Sequence, residues 1–190
     1  MGDTLVECVP NFSEGRDESI INEITESILK VSDVTLLDVD IGYDFNRTVV
    51  TIVGKPEAVL EAAIVSTSVA IRLIDMTKHS GEHARMGAVD VVPFIPIQNS
   101  TMEDCISLSE RYAKIVSDRF GIPVYLYANS ARRIERRRLP DIRRGEYEGL
   151  KEKLSMEFWK PDYGPSTFVP KTGAIASGAV SYTHLTLPTI

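Results

Sequence analysis

The order of the apolar patterns constrains the fold of this chain more than any other feature of its sequence. β-Branched runs typical of strands alternate with segments in which apolar residues recur every three or four positions, as in amphipathic helices. The predicted strands are 5–10, 35–41, 47–53 and 88–97, and the predicted helices, 18–31 and 56–74, follow the first and the third of them. This order is that of the split βαβ, ferredoxin-like fold. We therefore predict an α+β protein with a ferredoxin-like βαββαβ unit, whose mixed sheet carries its helices on one face.

Further elements follow this unit. A helix is predicted over 100–120, where Ser100 and Glu103 have the spacing of a capping box. A fifth strand is predicted over 124–127, and a short helix over 147–156. The sequence therefore predicts an additional helix and strand that extend the βαββαβ unit.

Composition excludes several classes of protein. A chain of 190 residues fits one domain, and its net charge of −6 argues against a general nucleic-acid binder. Cys8 and Cys105 have neither the spacing of metal ligands nor that of a disulfide framework. No charged segment followed by an apolar run opens the sequence, and no run is long enough to cross a bilayer. We expect a cytoplasmic protein with no membrane, nucleic-acid or metal partner.

Titratable side chains cluster in segment 78–87, directly before the buried strand 88–97. A glycine-bounded loop on a rigid scaffold is a usual place for catalytic residues. His83 is its natural centre, because histidine exchanges its proton near neutral pH. His79 and His83 have the spacing of a helical metal pair, but Gly81 between them argues against a continuous helix. Two alternatives stay open, namely acid–base chemistry and two histidines that are merely hydrogen-bonded loop residues.

Other polar residues have both a functional and a structural interpretation. Asp38 and Asp40 share one face of a strand, and Asp40, at its carboxyl end, could orient a histidine or stabilise a positive charge. A solvated sheet edge explains Asp38 better. Asn46 and Arg47 could bind a substrate carboxylate, or form a turn with a solvated arginine. The seven arginines of 132–144 are typical of a solvated, ion-paired face, which could also attract an anionic ligand.

Taken together, these residues resemble a known family, the N-terminal subdomain of glutamate formiminotransferase, which is also part of formiminotransferase-cyclodeaminase. The similarity runs from Leu5 to about Val180, and the chain departs from the usual pattern at Ala84, where the family has proline. The motifs that carry the resemblance are 6–15, 36–40, 46–49, 73–76, 81–83, 85–88, 144–148 and 164–165.

The resemblance implies transfer of the formimino group from N-formimino-L-glutamate to N5 of tetrahydrofolate, with no metal. It makes His83 the catalytic acid and base, and Asp40 is our candidate for stabilising the cationic intermediate. Asn11, Arg47 and Arg85 are the candidates for binding the substrate, the two arginines because its carboxylates suit them. The implied folate loop comprises Gly164, Pro165, Ser166, Thr167, Phe168, Val169, Pro170, Lys171, Thr172 and Gly173. A glutamate formyltransferase and a non-catalytic folate-binding homologue remain alternatives.

The C-terminal end does not follow the family. Residues 181–190 look like a translated sequencing adapter, so we assign 1–180 to the subdomain and treat the remainder, including His184, as a non-native tail. In the family a second subdomain follows, and the folate lies in the cleft between the two. We expect this missing subdomain and a homo-oligomer as partners. We also expect an apolar sheet face where the second subdomain packs, and His83 near Asp40 at the cleft.

Overall fold

The computed structural model describes residues 2–182, which form one seven-stranded sheet and five α-helices. The strands are β1 Leu5–Cys8, β2 Asn11–Phe12, β3 Val34–Gly42, β4 Arg47–Gly54, β5 Val89–Gln98, β6 Val124–Ala128 and β7 Ile175–Ala179. The helices are α1 Glu18–Leu29, α2 Pro56–Leu73, α3 Met102–Phe120, α4 Leu139–Arg143 and α5 Glu146–Ser155. Of the predicted tail, residues 183–190 lie outside the described part of the chain. None of the described helices has the length and apolar character needed to cross a membrane.

The ferredoxin-like prediction is confirmed by the strand order. The sheet runs β3, β4, the pair β1 and β2 in one position, β5, β7 and β6. Its first four positions are antiparallel, which is the arrangement that a βαββαβ unit gives. The last two strands are parallel to β5, so the sheet is mixed.

The first predicted strand is longer than expected and divided in two. Val9 and Pro10 interrupt it, and Asn11, which follows the predicted end of this strand, belongs to β2. Asn11 lies opposite Val49 of β4 and Val91 of β5. A residue expected beyond the strand is therefore fixed in the middle of the sheet.

Strand β7 was missed by the sequence analysis. Its sequence, Ile-Ala-Ser-Gly-Ala, is poor in the β-branched and aromatic residues that mark strands. Glycine is required within it, because a Cβ at Gly178 would lie 2.5 Å from the carbonyl oxygen of Tyr127. This close packing between β5 and β6 buries all five residues of β7, so tertiary contact overrides the weak local preference.

Helices lie on both faces of the sheet. The three long ones, α1 to α3, enclose the main core on one face, as predicted. Helices α4 and α5 cover the opposite face at the β6 end, where Ile142 and Leu150 pack in one cluster with Tyr125 and Tyr127. Helix α4 was not predicted.

Helix α3 has a capping box, but it is formed by Thr101 and Asp104, one residue later than predicted.

The rest of the second face, formed by β3, β4 and β1, is uncovered by any described helix. In β4 the residues alternate strictly between buried and partly exposed, and Arg47, Val49, Thr51 and Val53 face outward. The expectation of an apolar face is wrong, since polar and apolar residues alternate along it. Its side chains include charged groups, which positions this face for a polar site.

Among these charged groups, Glu7 on β1 has the least favourable environment for a charge. It lies opposite Val53 and Ile95 and is only 9% exposed, yet its Oε2 makes no hydrogen bond within residues 2–182. Burial raises the pKa of this carboxyl group. A raised pKa in the folded state means that folding favours the protonated form, so stability falls as the pH rises above the ordinary value of a glutamate.

We expect Glu7→Gln to stabilise the chain at pH 7 by about 1 kcal/mol, because it removes a buried charge that has an unpaired oxygen. The gain should disappear near pH 4, where the glutamate of the wild type is protonated. Urea unfolding of both proteins across this range measures it. Glu18→Gln, on the exposed first turn of α1, is the control. An equal difference at both pH values would contradict the explanation.

Candidate functional site

The histidine loop runs from a short 3₁₀ turn, Met76–Lys78, to β5, and it is fastened to the turn before β4. Asn46 makes three hydrogen bonds, two of them to this loop. Its side chain donates to the carbonyl oxygen of Ser80 at 3.0 Å and accepts from the N–H of Gly15 at 2.9 Å. Its own carbonyl oxygen accepts from Nε2 of His79 at 2.9 Å. Of the two interpretations of Asn46, the structure therefore favours the turn residue, which holds the loop in place.

Gly81 allows the closest contact between these two segments. A Cβ at this position would lie 2.3 Å from the carbonyl oxygen of Phe45, so no other residue fits without moving the loop. The loop is irregular here, as Gly81 predicted, and His79 and His83 do not lie on one helix. Within residues 2–182 there is no group of three or more His, Cys, Asp or Glu side chains that could hold a metal ion.

His83 is half-buried, with both ring nitrogens in contact with the protein. Nδ1 lies 2.6 Å from the carbonyl oxygen of Ala84 and must carry the hydrogen, because a carbonyl only accepts. Nε2 lies 2.6 Å from Nη1 of Arg47 and accepts from it. Burial, and then the charges of Arg47 and Arg143, lower the pKa of His83. The imidazole is therefore neutral at pH 7, and its Nε2 lone pair faces the site.

Arg47 and Asn11 are brought together by the pairing of β2 with β4. Nη2 of Arg47 donates to Oδ1 of Asn11, whose amide donates in turn to the carbonyl oxygen of Val9 at 2.8 Å. Burial, followed by the charge of Arg143, lowers the pKa of Arg47. Two of the predicted substrate residues therefore share one hydrogen-bonded group with His83.

Asp40 lies on the same open face but makes no such contact. It pairs with Val49 across β3 and β4, while Asp38 pairs with Thr51, so the two carboxylates do share a face. Among the described residues, no hydrogen bond or ion pair joins Asp40 to His83 or Arg47. Its charge nevertheless acts on Arg47 and, with that of Asp90, opposes part of the lowering of the guanidinium pKa that burial and Arg143 cause. The imidazole thus contacts Arg47, where proximity to Asp40 was expected.

Arg85 occupies its donors with internal partners. Its guanidinium binds both carboxylate oxygens of Glu148, at 2.8 and 2.7 Å, and also Glu146 at 3.1 Å. Its Nε donates to Nδ1 of His79 at 3.1 Å. Hydrogen bonding to Glu148 raises the pKa of Arg85, and burial lowers that of His79. This network ties the histidine loop to α5, and the substrate-binding role of Arg85 stays a prediction.

The charges of Asp90 and Arg143 act on His83 and Arg47, although the sequence analysis assigned neither residue to the site. Asp90 is buried in β5, where it accepts from the N–H of Met86 at 2.8 Å and forms an ion pair with Arg143. One signal could have found them. A carboxylate inside an apolar strand needs a cationic partner, and the arginine-rich segment supplies one.

The comparison with known proteins identifies the family of the chain. Residues 5–180 match the formiminotransferase domain, N-terminal subdomain. The chain belongs to this family. It is 53% identical over 178 residues to the formimidoyltransferase-cyclodeaminase of Dictyostelium discoideum. The matched region covers 94% of this chain and 33% of that protein.

Two shorter relatives are named glutamate formimidoyltransferase. That of Streptococcus pyogenes is 44% identical over 92% of this chain, and that of Thermoplasma acidophilum is 47% identical over 93%. The formiminotransferase subdomain described here covers 58% of the length of each. It therefore spans about a third to three-fifths of these relatives.

The segment 164–173, assigned to folate by resemblance, borders the histidine loop of the formiminotransferase subdomain. Ala88 donates to the carbonyl oxygen of Thr172 at 2.9 Å, and Gly87 pairs with Gly173. The ring of Phe168 is partly exposed and packs against Tyr147, with their centroids 5.5 Å apart. The hydroxyl group of Thr172 is buried without a hydrogen-bond partner among the described residues. An aromatic surface and an unsatisfied polar group are thus placed beside the site.

Proposed function

We propose that this chain is the N-terminal half of an enzyme that transfers the formimino group from N-formimino-L-glutamate to N5 of tetrahydrofolate. The observation that carries the proposal is His83, whose neutral ring directs an Nε2 lone pair towards an arginine on an open polar face. The names of the relatives, formimidoyltransferases, support it.

The proposed reaction needs one group that takes up a proton and then returns it. N5 of tetrahydrofolate attacks the amidine carbon, and its proton passes to Nε2 of His83. The bond from that carbon to the glutamate nitrogen then breaks, and the imidazolium gives the proton to this nitrogen. A histidine with a lowered pKa suits both steps, because it is neutral at the start and a strong acid once protonated.

The remaining residues have binding and electrostatic roles in this proposal. Arg47 and Asn11 hold the glutamate part of the donor, and Asp40 stabilises the cationic intermediate across the open face. The loop 164–173 holds the folate, for which Phe168 offers a flat surface beside the site. Arg85, by contrast, would act through the position of the histidine loop.

The proposal includes partners that complete the site. The open sheet face is where a C-terminal subdomain would pack, and residues 1–180 would form the N-terminal subdomain. We place the protein in the cytoplasm, as a homo-oligomer, where Cys8 and Cys105 stay reduced; both are free and buried.

The test uses the full-length protein, meaning this chain continued by the C-terminal part that its relatives have. It should convert N-formimino-L-glutamate and tetrahydrofolate to glutamate and 5-formiminotetrahydrofolate. Mass spectrometry measures the formation of the two products. N-formyl-L-glutamate serves as the competing donor. Equal or faster transfer from the formyl donor would replace this function by a formyltransferase, and no transfer from either would remove the enzyme proposal.

The pH dependence of kcat/KM should show an acid limb below about pH 6.5, the ordinary pKa of histidine. Activity falls as the pH drops through the pKa of His83, because only the neutral imidazole accepts the proton, and burial and Arg47 lower that pKa. Initial rates between about pH 5 and 8 measure it. A limb above the ordinary value would show that another group is the base.

A further inference from the structure

Arg47 contacts His83, the charge of Arg143 also acts on this histidine, and neither guanidinium group is fully satisfied. The Nε atoms of Arg47 and Arg143 are buried without a hydrogen-bond acceptor among the described residues. Arg143 donates through Nη2 to Asp90, and its Nη1 has no hydrogen bond within residues 2–182, although the side chain keeps 13% of its surface exposed. An unsatisfied, accessible guanidinium nitrogen is a donor available to a ligand.

The sheet brings these two arginines to one place. Asn11 lies opposite Val91, whereas the next residue of β2 lies opposite Val89, so Asp90 sits in a bulge between the two pairs. Asn11 accepts from Arg47, and Asp90 accepts from Arg143. The two guanidiniums are therefore anchored on neighbouring strands, through side chains at adjacent positions of the register.

Two guanidinium charges surround one buried carboxylate, and the exposed Asp40 also acts on Arg47. Asp90 is paired with Arg143, while Arg47 forms no ion pair with any described carboxylate and donates only to uncharged groups. The charge of Arg143 also lowers the pKa of Arg47, so the two cations act on each other. Two partly buried cations with one buried anion between them favour binding of a further anion.

We propose that Arg47 and Arg143 together bind one carboxylate of a glutamate unit, with Arg143 as a substrate-binding residue. This deepens the proposed function and rests on it for the identity of the ligand. Arg85, the other candidate, already donates to His79, Glu146 and Glu148, so it has fewer free donors than Arg47 or Arg143. In Arg143, Nη1 makes no hydrogen bond within residues 2–182 and can donate to the ligand.

Binding of the carboxylate has a consequence for His83. Nη1 of Arg47 donates to Nε2 of His83, which is a neutral acceptor. A carboxylate is a stronger acceptor, so the bound ligand draws the guanidinium to itself and leaves the lone pair of Nε2 for the reacting N–H. The base is then exposed only when the glutamate unit is in place.

The test measures binding to the 190-residue chain by calorimetry and by NMR of the arginine side-chain N–H groups. One arm uses L-glutamate, and the other uses p-aminobenzoyl-L-glutamate, which represents the folate tail. Sodium chloride at matched ionic strength controls for nonspecific charge. Because no turnover is involved, the result is separate from that of the transferase assay.

Arg143→Gln should weaken binding of one of these ligands by about ten- to a hundredfold, the effect of losing a charge-assisted hydrogen bond. Arg137→Gln, an exposed arginine of the same segment, should leave binding unchanged. Because Arg143→Gln leaves Asp90 unpaired, the double variant with Asp90→Asn tests the same loss without a buried charge.

The two arms distinguish the source of the carboxylate. Dependence of L-glutamate binding on Arg143 assigns the two arginines to the donor, and dependence of p-aminobenzoyl-L-glutamate binding alone assigns them to the folate tail. Absence of binding to the wild type would overturn the proposal. So would equal affinities of the wild type and both Arg143 variants.

Discussion

Replacing His83 by alanine should lower the turnover number of the full-length protein by roughly two to four powers of ten, the usual contribution of a general acid and base. The reason is that the side chain that takes the proton from N5 and gives it to the glutamate nitrogen is lost. Folate affinity should change little, because the proposed folate contacts lie in loop 164–173. Steady-state kinetics and folate titration of both proteins measure these effects.

Three further measurements separate chemistry from structure. His83→Gln keeps a polar side chain next to Arg47 but cannot carry a proton, so it should be nearly as slow as His83→Ala. Added imidazole should restore part of the activity of the alanine variant. Lys78→Ala changes an exposed residue of the same loop and should have the rate of the wild type. Full-rate turnover in His83→Ala would remove His83 from the mechanism.

Arg136→Ala should lower the free energy of unfolding by about 3–5 kcal/mol, the loss expected when one partner of a buried ion pair is removed. Arg136 is 2% exposed and pairs with Asp162 at 3.0 Å. It also donates to two carbonyl oxygens of segment 158–160, and it lies over the rings of Tyr125 and Trp159. Its removal leaves the carboxylate of Asp162 without its cationic partner and the two carbonyls without this donor.

Urea unfolding measures this loss as a lower midpoint. Arg137→Ala is the matched control, since its side chain is exposed in the same segment, and it should change the stability by less than about 0.5 kcal/mol. The double variant Arg136→Met with Asp162→Leu should recover much of the loss, because it replaces the charged pair by apolar groups. Equal midpoints for Arg136→Ala and Arg137→Ala would show that the ion pair adds nothing to stability.

In the arginine-rich segment 132–144, the local sequence does not show which side chains are buried. The prediction of a solvated face holds for Arg137 and Arg138, which are exposed, but it is wrong for Arg136. Nothing in the run of arginines distinguishes them. Whether an arginine of this segment is buried depends on Asp162 and Asp90, which are distant in sequence. A pattern within one segment therefore cannot identify the buried arginines.

The sequence by itself predicted the elements of the βαββαβ unit and the histidine loop, although not β7 or α4. Periods of two and of three to four residues reflect the geometry of a single strand or helix, and the glycines of segment 78–87 limit the local backbone, so these features could be read without a fold. The βαββαβ order then leaves few topologies, and the predicted one was found.

Only the tertiary structure decided which polar groups meet. The pairing of β2 with β4 and β5 placed Asn11 beside Arg47 and put Asp90 in a bulge where it pairs with Arg143, while Arg85 is held by Glu148 of α5. Strand β7 exists because its small residues fit between β5 and β6. The physical reason is common to all of these. Register, burial and charge pairing join residues that are far apart in the chain, and their free energies appear only when the chain is folded.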